Sequence, residues 1–176
     1  MHRTTDRLIL RPPEPADLAA LFAIYGDPAT NTFNPAGPMA NIELAASLLD
    51  RWLAQWRELG IGPWTIATLD APGHPIGFGG ISMHRYLDHE RVNVGYRFAT
   101  SAWGRGYATE LTRASLAFGF EEQGFSEIFA LVRPAHAASI RVLEKAGMQQ
   151  IDTLDDVPGA APSRVYAISR EAWAHV

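Results

Sequence analysis

The sequence predicts an α/β domain built on a mixed, mostly antiparallel sheet flanked by helices. Three observations carry this. Four segments place apolar residues at helical spacing, three short strand patterns follow one another between residues 64 and 99, and one strand–helix–strand crossover spans 91–133. The 176 residues suit one domain, 1–176, with no internal repeat or linker.

"RLILR" (7–11) reads as a strand, stopped by Pro12 and Pro13, which have no N–H for a ladder. In "PADLAALFAIYGD" (15–27), Leu18, Leu21, Phe22 and Tyr25 recur at helical spacing and Gly26 supplies a stop. Turn formers fill 28–39. A second helix runs from an Asn41 cap to about Glu58, with Leu44, Leu48, Trp52 and Trp56 as its apolar stripe. Strands are expected at 64–70, 76–84 and 91–99, with "RYLDHE" as a loop between the last two. A helix then runs to about Gln123 on a stripe of Ala108, Leu111, Ser115 and Phe118. "EIFALVR" (127–133) is apolar enough for a central strand. The helix at 136–147 faces inward through Ile140, Leu143 and Ala146 and ends at Gly147. "MQQIDTL" and "SRVYAIS" are two closing strands joined by a Pro/Gly loop at 158–162.

With 47% hydrophobic and 19% charged residues, the chain can bury a core. A net charge of −4 argues against non-specific binding to nucleic acid or membranes and leaves room for a local basic pocket for a small anion. The absence of cysteine excludes disulfides, a thiolate zinc site and a cysteine nucleophile. His84 and His89 lack a third ligand, so no metal is expected. The opening "MHRTTDRLILRPPEPADL" carries no apolar signal region, and no apolar run reaches membrane length. The cytoplasm is the expected location, as a monomer or homodimer.

The stretch "WGRGYAT" (103–109) stands at a helix entrance and admits three readings. A lone G-x-G is often a bare structural turn. A dinucleotide loop needs Gly or Ala at position 109, where this chain has Thr, and a repeated parallel unit that is missing here. A phosphate grip needs unpaired helix N-terminal N–H groups, small residues and a cation, which Gly104, Gly106, Ala108, Thr109 and Arg105 supply.

"VGYRFATSAWGRGYATEL" (94–111) resembles the acetyl-CoA-binding segment of the GNAT N-acetyltransferases, in the branch that includes the ribosomal-protein N-terminal acetyltransferases. The resemblance extends to "DRLILRPPEPADLAAL" (6–21), "GPWTIATLDAPGHPIGFGGI" (62–81), "RPAHAASIRVLEKAGM" (133–148) and "VYAISREAW" (165–173). It implies the GNAT fold, with splayed central strands that admit the pantetheine arm. Backbone at Phe98 and Ala99 would pair with that arm, and a bulge would free an N–H near Tyr96 to Phe98 for the thioester oxygen. Trp103, Gly104, Arg105, Gly106, Tyr107, Ala108 and Thr109 would hold the pyrophosphate, although Arg105 reads equally as a solvated surface residue.

His136 stands where the family usually has Asn, and would contact CoA. Ser139 would hydrogen-bond the departing thiolate, or only pack. Arg141 and Lys145 would meet the outer phosphate, or form an exposed face. Asn93 replaces the family's usual Glu and cannot act as a base, which leaves Glu90, Asp88, His84 and His89 as nearby candidates.

The implied activity is direct acetyl transfer from acetyl-CoA to a primary amine, either a protein N-terminus or a small molecule, without an acyl-enzyme on cysteine. A CoA-binding module with vestigial catalysis is the alternative. The acceptor pocket would draw on the first two helices, the 28–39 loop and the last two strands, with Phe33, Trp52, Trp56, Trp64 and Tyr86 as candidate walls. The acidic balance mildly favours a cationic acceptor.

Overall fold

The computed structural model describes residues 2–176. The strands are β1 (Arg3–Thr4), β2 (Leu8–Arg11), β3 (Gly62–Thr68), β4 (Gly77–Tyr86), β5 (His89–Phe98), β6 (Glu127–Val132), β7 (Gln149–Leu154) and β8 (Ser163–Ser169). The helices are α1 (Leu18–Tyr25), α2 (Ile42–Leu59), α3 (Tyr107–Ala117), α4 (Ala137–Lys145) and the short α5 (Arg170–Trp173). Strand order is β1-β2-β3-β4-β5-β6-β8-β7. Pairings are antiparallel at β1–β2, β2–β3, β6–β8 and β7–β8, and parallel at β5–β6. This is the mixed, mostly antiparallel sheet expected. Among the described residues no helix is long and apolar enough to cross a membrane.

The chain forms two compact units. One holds the chain up to Gly80 together with Tyr96–Tyr107; the other holds Ile81–Gly95 and Ala108–Val176. In the first, α1 and α2 pack Leu21, Ile24, Ala45 and Leu49 around Phe78, with Tyr25 and Trp52 at its edge. Tyr25, Trp52 and Phe78 form a triangle of rings with centroids 5.7–6.3 Å apart. Asn41 caps α2 as expected, its side chain accepting from the Leu44 N–H at 3.0 Å. The buried face of α2 is turned from the expected stripe. Ala45 and Leu49 are its buried residues, and Leu44 is exposed. Four-residue steps drift around a helix of 3.6 residues per turn, so a row of i+4 aromatics does not stay on one face.

In chain order β5, α3 and β6 form the crossover, and within the second unit β5 and β6 join at the register pair Asn93 with Phe129. Strands of ten and six residues share that one pair, as strands that part would. Leu111, Ser115 and Phe118 are buried as expected, and the end of α3 widens into a π-turn at Phe118–Glu122. The end of α4 is closed by two bonds, from the Gly147 N–H to the Glu144 carbonyl and from the Met148 N–H to the Leu143 carbonyl, each 3.0 Å.

One local reading changes, and two short elements join the expected ones. The expected loop "RYLDHE" is mostly strand. Only Leu87 and Asp88 separate β4 from β5, a connection short enough to force an antiparallel hairpin. The final strand ends at Ser169 as expected, and the Ser169 hydroxyl accepts from the Ala172 N–H at 3.1 Å and starts α5. The two-residue β1 pairs with β2 and had no periodicity by which to announce itself.

Candidate active site

Gly104 and Gly106 lie at φ 72° and 80°, a region that residues with a Cβ enter at a cost. A Cβ on Gly104 would project into open space, whereas one on Gly106 would meet Arg7 Nη2 at 3.4 Å. The loop runs directly into α3, whose first turn offers N–H groups with no partner inside the helix. Arg105 lies between the two glycines and is exposed. The geometry narrows the expected donor set at its upstream end. The Trp103 N–H is committed to the Thr100 carbonyl at 3.1 Å, and the Ala99 N–H to the Ile76 carbonyl at 2.8 Å. The Phe98 carbonyl accepts from the Trp103 indole at 3.0 Å, and the Phe98 ring is buried. The Trp103 and Ala99 N–H groups are therefore spent, which moves the upstream limit of the expected donor set to Gly104.

Sequence reasoning missed Arg7. Its Nη1 donates to the Arg105 carbonyl at 2.7 Å, and its guanidinium lies 4.8 Å from the Tyr107 ring centroid. It braces the loop from β2's end of the chain, ninety-eight residues away. Only the three-dimensional arrangement brings the two together.

His136 holds the cap position of α4 without a side-chain cap bond, as its poor capping ability leads one to expect. Its backbone does the work of entering the helix, the carbonyl accepting from the Ile140 N–H at 3.1 Å. Burial pushes the His136 imidazole below the usual histidine range, so the ring is neutral at pH 7 and keeps one donor and one acceptor. Ser139 is half-buried in the first turn of α4, and Arg141 is exposed.

Asn93 is tied into β4 and β5. Its Oδ1 accepts a short hydrogen bond from the Tyr86 hydroxyl. Burial raises the Tyr86 phenol above the ordinary tyrosine range, only partly opposed by Arg91, so it stays protonated and donating. The Arg91 guanidinium stacks 4.3 Å from the Phe129 centroid and 5.5 Å from that of Tyr86. Strand alternation sends the Glu90 and Asn93 side chains to opposite faces of β5, and Glu90 is exposed. Asp88 and His89 are exposed too. The His84 ring packs edge-on against Tyr86, with centroids 5.6 Å apart. Desolvation lowers its pKa, with Asp156 opposing, so it is neutral at pH 7 and able to accept a proton.

Of the candidate acceptor walls, Trp64 is 1% exposed and belongs to the core. Trp56 packs on it and spends its indole N–H on the Pro63 carbonyl at 2.8 Å. Trp52 joins the Tyr25–Phe78 cluster, Tyr86 is buried, and Phe33 is exposed. Among the described residues no group of three acidic or histidine side chains is placed to hold a metal ion.

Known proteins resemble this chain in sequence and in fold. YkkB of Bacillus subtilis (strain 168) is 35% identical over 156 residues, covering 85% of this chain and 86% of that protein. YoaA of the same organism, an uncharacterized N-acetyltransferase, is 31% identical over 148 residues, covering 83% and 81%. The crystal structure of spermidine N-acetyltransferase from Vibrio cholerae, in complex with CoA and spermine, superposes with a TM-score of 0.79 at 14% identity, over 97% of this chain and 99% of that one. The family model for the acetyltransferase (GNAT) domain matches residues 7–149. A match over residues 7–149, most of the chain, makes this protein a member of the GNAT acetyltransferase family.

Proposed function

We propose that the protein is an acetyl-CoA-dependent N-acetyltransferase that moves the acetyl group directly to a primary amine. The observation that carries this reading is the segment Gly104–Thr109, with two glycines at positive φ leading into the donors of α3. A pyrophosphate fits there, with Arg105 as a charge-assisted partner and Arg7 holding the loop's shape. Because the Ala99 N–H is committed, the pantetheine arm pairs upstream, at Tyr96–Phe98. The Phe98 carbonyl keeps one lone pair for it. His136 and Arg141 complete the cofactor contacts, Arg141 toward the outer phosphate.

The amine lone pair attacks the thioester carbonyl carbon, and the carbon–sulfur bond breaks. The proton shed by the nitrogen leaves to water or to a neutral base such as His84, while Glu90 acts, if at all, through water. Ser139 donates a hydrogen bond to the departing thiolate, which takes its proton from solvent. Asn93 holds the β4–β5 pair in place through Tyr86 rather than moving a proton. The acceptor is a protein N-terminal amine, in keeping with the W-G-R-G-Y-A-T-E form of the loop, or a small-molecule amine.

The test is titration with acetyl-CoA, then thiol release across a panel of amines and short peptides. Release with at least one amine is expected. Tight binding with no release for any amine would identify a CoA-binding module of the same fold, and no binding would sink the assignment. Ser139→Ala is expected to lower kcat about tenfold while KM for acetyl-CoA stays within about twofold. Wild-type values for both would reduce Ser139 to packing.

A further inference from the structure

Arg97, near the end of β5, is a half-buried cation held on two sides. Its guanidinium stacks 4.4 Å from the Tyr25 ring centroid, and its Nη1 donates a short hydrogen bond to Asn31 Oδ1. Asn31 is itself fixed and only 5% exposed. Its Nδ2 donates to the carbonyls of Tyr25 at 2.9 Å and Asp27 at 2.8 Å, and its Oδ1 also accepts from Asn34 Nδ2 at 2.9 Å. Both acceptor positions on Oδ1 are therefore filled, which sets the amide's orientation and that of the guanidinium against it.

Among the described residues Arg97 makes no ion pair. The nearby Asp27 carboxylate accepts instead from the Ala29 N–H at 2.9 Å. Tyr25 supplies no counter-charge, because burial pushes its phenol up to about 12, against the opposing pull of Arg97. A partly desolvated guanidinium with most of its five donors unspent is an anion-seeking group. Its planar fork matches a carboxylate bidentately. The side chain faces α1 and the 28–34 segment, whereas the 103–106 loop has Arg105 and Arg7 of its own.

We propose that Arg97, oriented by Asn31 and Tyr25, binds a carboxylate of the acceptor, so that the acceptor is an amino acid or another amine bearing a carboxylate. This rests on the acetyl-transfer reading and favours the small-molecule branch of it.

The experiment measures thiol release from acetyl-CoA with free amino acids and with their primary amides, on wild type, Arg97→Lys and Arg97→Met. For the best amino acid, kcat/KM is expected to exceed that of its amide by at least about thirtyfold. Arg97→Met should erase that ratio through the acceptor KM, with KM for acetyl-CoA within about twofold. Arg97→Lys should keep the charge, lose the fork and fall between the two.

A binding arm reads the contact without turnover, by titrating N-acetyl amino acids and their amides calorimetrically, with melting curves to confirm folding. Binding of acids over amides that Arg97→Met removes supports the site. Equal treatment of acids and amides overturns it, as does binding by neither or a rise in acetyl-CoA KM in Arg97→Met. Acids bound but never acetylated would keep the carboxylate site and sink the transfer reading. Acids and amides acetylated alike would do the reverse.

Discussion

Replacing Gly106 with valine is expected to raise the dissociation constant for acetyl-CoA by at least about a hundredfold, the loss of roughly two charge-assisted backbone contacts. Two effects act together. A β-branched residue at φ 80° is strained by about 1–2 kcal/mol, so the loop relaxes to another conformation and its N–H groups turn away. The new side chain also reaches Arg7 Nη2, which a Cβ alone would approach to 3.4 Å. Gly104→Ala separates the two, because its Cβ meets nothing and only conformation is disturbed. Its expected effect is smaller, about tenfold. Fluorescence or calorimetric titration checks both, with thermal melting to show that the fold survives. Acetyl-CoA affinity unchanged in the valine variant would remove the pyrophosphate from this loop.

The brace on that loop gives a companion expectation. Arg7→Met removes the 2.7 Å bond to the Arg105 carbonyl and the stacking on Tyr107, while both glycines stay as they are. Acetyl-CoA affinity should fall about three- to tenfold, consistent with losing one net hydrogen bond of about 1 kcal/mol that acts on the anion only through the loop's shape. An equal fall in Arg7→Lys is expected, since an ammonium offers no planar face for Tyr107 and a shorter reach to the carbonyl.

Arg7 also shows where sequence reading stops. Helices α1 to α4 and most strands were legible because periodicity and punctuation are local, as in Asn41 before α2 or Gly147 after α4. The glycine turn into α3 was legible because it lies within seven consecutive residues. Contacts made across long separations leave no such trace. Nothing in "TTDRL" announces that Arg7 meets Arg105, or that Arg97 meets Asn31 sixty-six residues earlier. The aromatic rows misled for a related reason. Trp56 and Trp64 have the composition of a pocket wall, and only the burial of Trp64 beneath a half-buried Trp56 takes them out of it. The Trp103 N–H was assigned to phosphate because its partner Thr100 depends on a 3-10 turn that the sequence does not signal.

The largest stability effect is expected at Asp17, whose carboxylate is 4% exposed and fully engaged. Arg11 meets it through two bonds of 2.7 and 2.8 Å, the Glu14 N–H donates at 2.8 Å, and the Thr65 hydroxyl at 2.8 Å. Together they tie β2, the turn before α1 and β3. Burial by itself raises the Asp17 pKa; the bonds from Arg11, Glu14 and Thr65 outweigh it and hold the group below its ordinary value. Arg11→Met strips the cation and leaves a buried carboxylate partly unpaired. The expected cost is about 3 kcal/mol, a fall in Tm of roughly 6–12 °C for a chain of this size. Asp17→Asn keeps the shape, loses the charge and should cost less.

The sign with pH follows from the depressed pKa. The folded form binds its proton less readily than the unfolded chain, so this stabilisation is fully present above the unfolded value, about 3.9. It is lost as pH falls through the folded value. Wild type should therefore destabilise more steeply than Asp17→Asn as pH drops below about 4, and the gap between their melting temperatures should narrow. Parallel melting curves for the two proteins across that range would show that the bidentate pair contributes nothing to the fold.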